Sequence, residues 1–115
     1  MNSTACFQAN ASDIQEMVDR IVSVSNPEKI ILFGSYAKGT ARPHSDVDLL
    51  VVDTDDFGAF RSRRDVLRKI GVALKGIRVP KDVLLYSHRE FMKWRGISSH
   101  IVGSAFQEGK LLYEK

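Results

Sequence analysis

Two aspartates, Asp46 and Asp48, stand two residues apart at the start of the apolar run 47–52. Such a run predicts a buried strand, and because side chains alternate between strand faces, both carboxylates project to one side, roughly 6–7 Å apart. Like charges held this close raise each other's proton affinity unless a cation lies between them. Carboxylates suit Mg²⁺ or Mn²⁺, and Mg²⁺ usually adds substrate phosphates to its protein ligands. The pair favours metal-dependent nucleotide chemistry; the alternative is a pair of solvated acids at a strand end.

A second group of residues could bind phosphate. Gly34 and Ser35 directly follow the apolar run 29–33, which predicts another buried strand, and the next residues can begin a helix. Glycine permits close backbone approach, and a helix N-terminus offers free amides to an anion. The Ser35 hydroxyl can donate to a phosphate oxygen, and Lys38 and Arg42 add positive charge around a triphosphate. The alternative is an ordinary helix cap.

The elements that position these residues can be predicted from apolar spacing. A first amphipathic helix is expected from Ser12, with Gln15 completing a capping box, and it should end near Pro27. After a turn and N-cap region at 53–56, a second long helix is expected. Its predicted inner face consists of Phe60, Leu67, Ile70, Ala73 and Leu74.

A third strand is predicted over 82–86, followed by a short helix over 90–94 and another over 101–106 that Gly109 closes. Helices that alternate with three strands indicate an α/β (α+β) fold, in which helices flank a small mixed sheet. Strand order does not follow from this pattern.

Composition is that of an ordinary globular domain. The chain has 115 residues, 43% hydrophobic and 27% charged, which predicts one domain over 1–115 with one core. Its single cysteine, Cys6, and the lack of a signal-like N-terminus or an apolar run near 18 residues predict a cytoplasmic protein without a membrane span. A net charge of +3 suits anionic ligands without identifying one.

One segment of the chain is similar to the signature of the DNA polymerase beta nucleotidyltransferase superfamily. It consists of Gly34-Ser35, ten intervening residues and then Asp46-Val47-Asp48. The wider text GSYAKGTARPHSDVDLLVV resembles its minimal nucleotidyltransferase branch, which includes antitoxins encoded beside HEPN-domain ribonuclease toxins. The resemblance is strong over 30–52, moderate in the third strand and weaker at the C-terminal end. Kanamycin-type adenylyltransferases share the core signature.

The resemblance implies a palm-like fold and a third carboxylate on a neighbouring strand, for which Asp82 fits. It also implies in-line transfer of AMP from ATP to a hydroxyl, with Mg²⁺ or Mn²⁺ on Asp46, Asp48 and Asp82. The implied partner is a HEPN-type toxin, and the acceptor a tyrosine hydroxyl. Many relatives carry arginine where this chain has Lys38, and lysine lacks the planar bidentate contact to phosphate.

Two other functions stay open: a non-catalytic antitoxin that blocks its partner sterically, and an adenylyltransferase acting on an aminoglycoside. His44 is interpreted as a solvated loop residue rather than a phosphate ligand. The second helix has a basic outer side that could bind RNA or an acidic partner, although a solvated face is favoured. Its cations are Arg61, Arg63, Arg64, Arg68, Lys69 and Lys75. Nucleotide preference, the number of AMP units and any homo-oligomer are left open.

Overall fold

The computed structural model describes residues 8–115, so Cys6 lies outside the described residues. Within this range no helix is both long and apolar enough to cross a membrane. The helices and strands follow one another in the order α1 (Ala11–Val24), β1 (Pro27–Phe33), α2 (Ser35–Lys38), β2 (Val47–Asp53), α3 (Arg63–Ala73), β3 (Lys81–Ser87), α4 (His88–Trp94), α5 (Ile101–Glu108) and β4 (Lys110–Glu114).

The strands form one mixed sheet in the order β3-β2-β1-β4. β1 is antiparallel to both β2 and β4, whereas β2 and β3 are parallel and joined through α3. This sheet with its flanking helices confirms the predicted α/β (α+β) class. The expectation of three strands was wrong, because β4 also pairs with β1. β4 is a short edge strand with no fully buried side chain, so its local pattern is weak.

Apolar clusters lie on both faces of the sheet. On one face α1 and α3 pack on the strands, with Met17, Ile21, Leu49, Val51 and Ile70 among the buried residues. On the other face α4 and α5 cover a smaller cluster made by Ile31, Leu50, Val52, Phe91, Val102 and Ala105. The central strand β2 therefore contributes to both clusters, which explains its nearly continuous apolar sequence.

Helix α1 begins slightly earlier than its sequence predicts. Asn10, not Ser12, is the N-cap: its Oδ1 accepts from the Asp13 backbone N–H at 2.8 Å, and Asp13 Oδ2 accepts from the Asn10 N–H at 3.0 Å. The predicted Ser12–Gln15 box was wrong, because two overlapping capping patterns occur here and the earlier one adds about half a turn of helix. The predicted end of the helix before Pro27 is confirmed.

Helix α3 begins later than predicted, at Arg63, with Ser62 as N-cap. Its buried side is formed by Val66 and Ile70 and continued by Leu74, whereas Phe60 precedes the helix and is fully exposed. Placing Phe60 on the inner face was therefore wrong. The physical reason is that Asp53 continues β2 and binds Arg61, which holds residues 54–62 as a loop.

Candidate active site

One edge of the sheet gathers the end of β1 and the starts of β2 and β3, because β1 is antiparallel to β2 and β3 is parallel to it. The register aligns Phe33 with Asp48 and Asp48 with Asp82 in one row. Neighbouring strands lie about 4.8 Å apart, and aligned residues project to the same face. Asp48 and Asp82 are therefore neighbours on one face of the sheet.

Asp46 comes just before β2. The Val47 N–H donates to the Pro80 carbonyl at 2.9 Å, which fixes the start of the strand against the segment that leads into β3. Asp46 and Asp82 are exposed, whereas Asp48 is partly buried. The three carboxylates that the sequence singled out thus meet at one edge of the sheet.

Asp48 is the electrostatic centre of this group. Burial raises its pKa above the ordinary value of 3.8, and the nearby charges of Asp82 and then Asp46 raise it further. Each of these causes disfavours the ionised form. A cation bound between the carboxylates would remove this penalty.

Gly34 lies directly against Asp48. It has a positive φ of 74° with ψ −154°, and a Cβ at this position would lie 2.2 Å from Asp48 Oδ2. Only glycine therefore leaves room for the carboxylate and also adopts this backbone conformation without strain. The Gly34 carbonyl accepts the N–H groups of Ala37 and Lys38, each at 3.1 Å, and so begins the single turn of α2.

The other predicted phosphate ligands lie in the segment that connects β1 to β2. Ser35 is the first residue of α2, and its carbonyl accepts the Thr40 N–H at 2.9 Å. Lys38 Nζ lies 3.4 Å from Glu108 Oε1 at the end of α5, an exposed ion pair. Arg42 lies in the loop before β2, where its N–H donates to Ser45 Oγ at 2.8 Å.

Glu108 is the neighbour of this region that sequence reasoning missed. Its position next to Lys38 depends on the packing of both α5 and α2 against β1, and the two residues are far apart along the chain. An exposed glutamate at a helix end has no local feature that would indicate such a contact.

The donor chemistry of the carboxylates suits a hard divalent cation such as Mg²⁺ or Mn²⁺. Among residues 8–115, no three His, Cys, Asp or Glu side chains are already arranged to hold a metal ion. An open arrangement of this kind fits Mg²⁺, which usually takes only one or two carboxylates and completes its shell with water and substrate phosphates. The residues present therefore fit a metal that binds together with a nucleotide.

The amino-acid sequence matches the family model described as a nucleotidyltransferase domain over residues 13–112. Two curated relatives from Methanocaldococcus jannaschii are each named "putative protein adenylyltransferase". One is 36% identical over 87 residues, which span 75% of this chain and 78% of the relative. The other is 45% identical over 67 residues, or 50% of this chain and 46% of the relative.

Solved structures with low sequence identity share the fold. A nucleotidyltransferase structure from Sulfolobus solfataricus has a TM-score of 0.60 at 20% identity, covering 90% of this chain and 79% of that one. A chain of a toxin–antitoxin MntA-HpeT variant has a TM-score of 0.53 at 18% identity, covering 93% and 75%. The predicted resemblance is confirmed: with nearly its whole length matched, this chain belongs to the nucleotidyltransferase domain family.

Proposed function

We propose that this nucleotidyltransferase moves AMP from ATP to a hydroxyl of a partner protein, and that Asp46, Asp48 and Asp82 are its catalytic carboxylates. The observation that carries the proposal is the position of Asp48, which pairs in register with Asp82 and lies against Gly34. The glycine backbone thus borders the carboxylates, as a site that positions a triphosphate beside metal-binding oxygens requires.

Each residue has a distinct proposed role. Asp46 and Asp48 would hold Mg²⁺ or Mn²⁺, with Asp48 the shared ligand if two ions bind, and the metal would neutralise charge on the triphosphate. Asp82 would bind a second ion or accept the proton of the attacking hydroxyl. Gly34 and Ser35 would contact phosphate through backbone N–H groups and the serine hydroxyl.

The reaction itself is a substitution at phosphorus. The acceptor oxygen forms a bond to the α-phosphorus of ATP, the bond to the bridging oxygen breaks, and pyrophosphate leaves. The hydroxyl proton goes to Asp82 or to solvent. The protein contributes mainly positioning and electrostatic stabilisation, in which Lys38 and Arg42 would add positive charge.

A protein acceptor is supported by the names of the two Methanocaldococcus relatives. The toxin–antitoxin neighbours, one of them solved with AMP-PNP at a TM-score of 0.50 and 24% identity, motivate a toxin as partner and ATP as donor. We propose a HEPN-type toxin as that partner, a tyrosine as the acceptor residue and the cytoplasm as the location.

The test is transfer of labelled AMP from ATP to the proposed HEPN-type partner. Wild type with Mg²⁺ should label it, and EDTA should abolish both labelling and ATP binding measured by calorimetry. Asp48→Asn should lose transfer by a factor of about 10³, because the charge that holds the metal against the α-phosphate is removed. Asp56→Asn, an exposed aspartate at the other end of β2, is the matched control and should label normally.

The same experiment separates enzyme from steric inhibitor. If wild type transfers nothing to the partner while Asp48→Asn still neutralises it, the adenylyltransferase proposal fails. A non-catalytic antitoxin would then take its place. Transfer to an aminoglycoside but not to the partner would favour the small-molecule enzyme instead.

A further inference from the structure

Phe60 lies at the tip of a tight turn and is fully exposed, with a relative accessibility of 104%. Gly58 and Arg61 close the turn through two backbone hydrogen bonds, Gly58 N–H to the Arg61 carbonyl at 2.9 Å and the reverse at 3.3 Å. A large apolar ring in water contributes nothing to the stability of the chain that carries it. The ring is therefore available for contact with another molecule.

Several contacts hold the turn that presents Phe60. Arg61 Nη2 lies 2.5 Å from Oδ2 of Asp53, whose side chain is completely buried. The guanidinium groups of Arg61 and Arg63 lie 5.1 and 4.8 Å from the ring centroid of Phe57, which attaches the loop to α3. The backbone that carries Phe60 is thus fixed by these contacts, so that binding through the ring costs little backbone entropy.

The outer side of α3 continues from this turn and is basic. Arg64, Arg68 and Lys69 are exposed there, and the one acid among them, Asp65, lies 3.2 Å from Arg68. Val72 is 59% exposed and borders a shallow, mainly apolar pocket of about 450 Å³ with Val24 and Ala73. The Phe60 surface is defined here as Phe60, Arg64, Arg68, Lys69 and Val72.

We propose that the Phe60 surface docks a partner protein whose own surface is acidic and offers an apolar socket for the Phe60 ring. An aromatic anchor surrounded by cations has the composition of an interface hot spot. A second copy of this chain would present the same positive charge and be repelled. Nucleic acid would repel Asp65 and would leave Val72 and the adjoining apolar pocket without a partner.

The position of the Phe60 surface relates docking to catalysis. Helix α3 has 11 residues and so extends about 16 Å, from the loop after β2 back towards the start of β3, where Asp82 lies. Asp48 shares its sheet face with Leu50 and Val52, whereas α3 packs on the other face. A partner bound along α3 would therefore lie on the face opposite the carboxylates and would reach them around the starts of β2 and β3. This deepens the proposed function, on which it depends for the identity of the partner.

The experiment measures binding separately from transfer. The full chain is titrated with the HEPN-type protein of the proposed function in a calorimeter, without nucleotide. Phe60→Ala should weaken binding about thirtyfold, as expected for an aromatic hot spot. Ile101→Ala removes an exposed apolar residue from the opposite face of the sheet and should bind within about twofold of wild type.

Charge is tested in the same way. Arg64→Glu should weaken binding about tenfold, with the loss reduced at high salt, whereas Arg95→Glu, just after α4, should not. Since Arg64 and Phe60 are exposed, neither substitution should alter the thermal unfolding curve. Circular dichroism verifies this before binding is compared.

Each outcome is decisive. Wild-type affinity for Phe60→Ala, or no binding by wild type, overturns the docking proposal. A homodimer that Phe60→Ala dissociates would also overturn it. Tight binding of a labelled single-stranded RNA that Arg64→Glu abolishes would overturn it as well. Binding that depends on Phe60 without AMP transfer would refute the proposed function but not the docking surface. Normal AMP transfer together with binding that does not depend on Phe60 would refute the docking surface but not the proposed function.

Discussion

The α-carbon of Gly34 lies against the carboxylate of Asp48, so closely that a methyl group at position 34 would overlap Oδ2. The pairing of β1 with β2 therefore brings Gly34, which follows β1, into direct contact with Asp48 of β2. A displacement of the backbone after β1 towards β2 would therefore also displace the central carboxylate of β2.

Gly34→Ala should consequently disrupt the site. The added Cβ meets Asp48 Oδ2 at 2.2 Å, and we expect metal-dependent ATP binding to weaken at least about tenfold as the carboxylate is displaced. Gly39→Ala is the control, because Gly39 also has positive φ, at 75°, but a Cβ added there would have no neighbour within 4 Å. Gly39→Ala should cost about 1–2 kcal/mol of stability through left-handed backbone strain, measured by urea unfolding, yet it should retain ATP binding. Gly34→Ala should cost more, because its φ of 74° with ψ −154° lies in a region open essentially to glycine alone and its Cβ meets Asp48. Equal ATP affinities for the two variants would refute this account of Gly34.

The pKa of Asp48 should depend more on Asp82 than on Asp46. Burial is the largest cause of its raised pKa, followed by Asp82 and then Asp46. In metal-free protein, Asp82→Asn should therefore lower the pKa of Asp48 more than Asp46→Asn does, and neither should restore it to 3.8. Carboxyl ¹³C NMR titration measures this directly, with Asp65→Asn as a control outside the cluster. No change in Asp82→Asn would show that the two carboxylates do not interact.

Asp48 should also destabilise the metal-free fold. A carboxyl whose pKa is raised on folding adds stability below its unfolded value, 3.8, and that stability is lost as pH rises through the folded pKa. Asp48→Asn should therefore unfold at higher urea than wild type at neutral pH in EDTA, and the difference should vanish below pH 3.8. A variant less stable than wild type at neutral pH would contradict the electrostatic argument.

Arg61 and Asp53 should be strongly coupled. Asp53 is fully buried, so Arg61→Ala leaves a buried carboxylate without its cation and should cost about 3 kcal/mol of unfolding free energy. The double variant Arg61→Ala with Asp53→Ala should lose much less unfolding free energy than the sum of the losses in the two single variants. Arg64→Ala, an exposed arginine nearby, should change stability by less than about 0.5 kcal/mol. Additive losses in the double-mutant cycle would mean that the pair does not stabilise the loop.

Lys38 has to leave Glu108 if it is to contact phosphate. Both side chains of this ion pair are more than half exposed, so its removal should not measurably change the free energy of unfolding. Lys38→Ala should weaken ATP binding about fivefold by removing one charge contact, whereas Glu108→Gln should bind ATP at least as tightly as wild type. Lys93→Ala, at an exposed lysine of α4, controls for net charge. Weaker ATP binding in Glu108→Gln would mean that the ion pair itself shapes the site.

The sequence by itself determined the parts of this protein that depend on local chemistry. The apolar runs 29–33 and 47–52 are strands because continuous apolar side chains need cover on both sheet faces. Gly109 ends α5 as predicted, since a Cβ there would collide with the Ala105 carbonyl and β1. Gly34 and the Asp46–Asp48 pair were identified from residue type and spacing alone, and Asp82 from the family resemblance.

Only the tertiary structure decided which residues meet across the chain. The alignment of Asp48 with Asp82 depends on the register of a parallel strand pair, and β4 is a strand because β1 has an open edge for it. Phe60 fits the apolar spacing of α3 but points into water, because the buried Asp53 holds Arg61 and thereby ends β2 in a loop. Such contacts form between distant segments, so a local pattern cannot encode them, and they decide where the site and the docking surface lie.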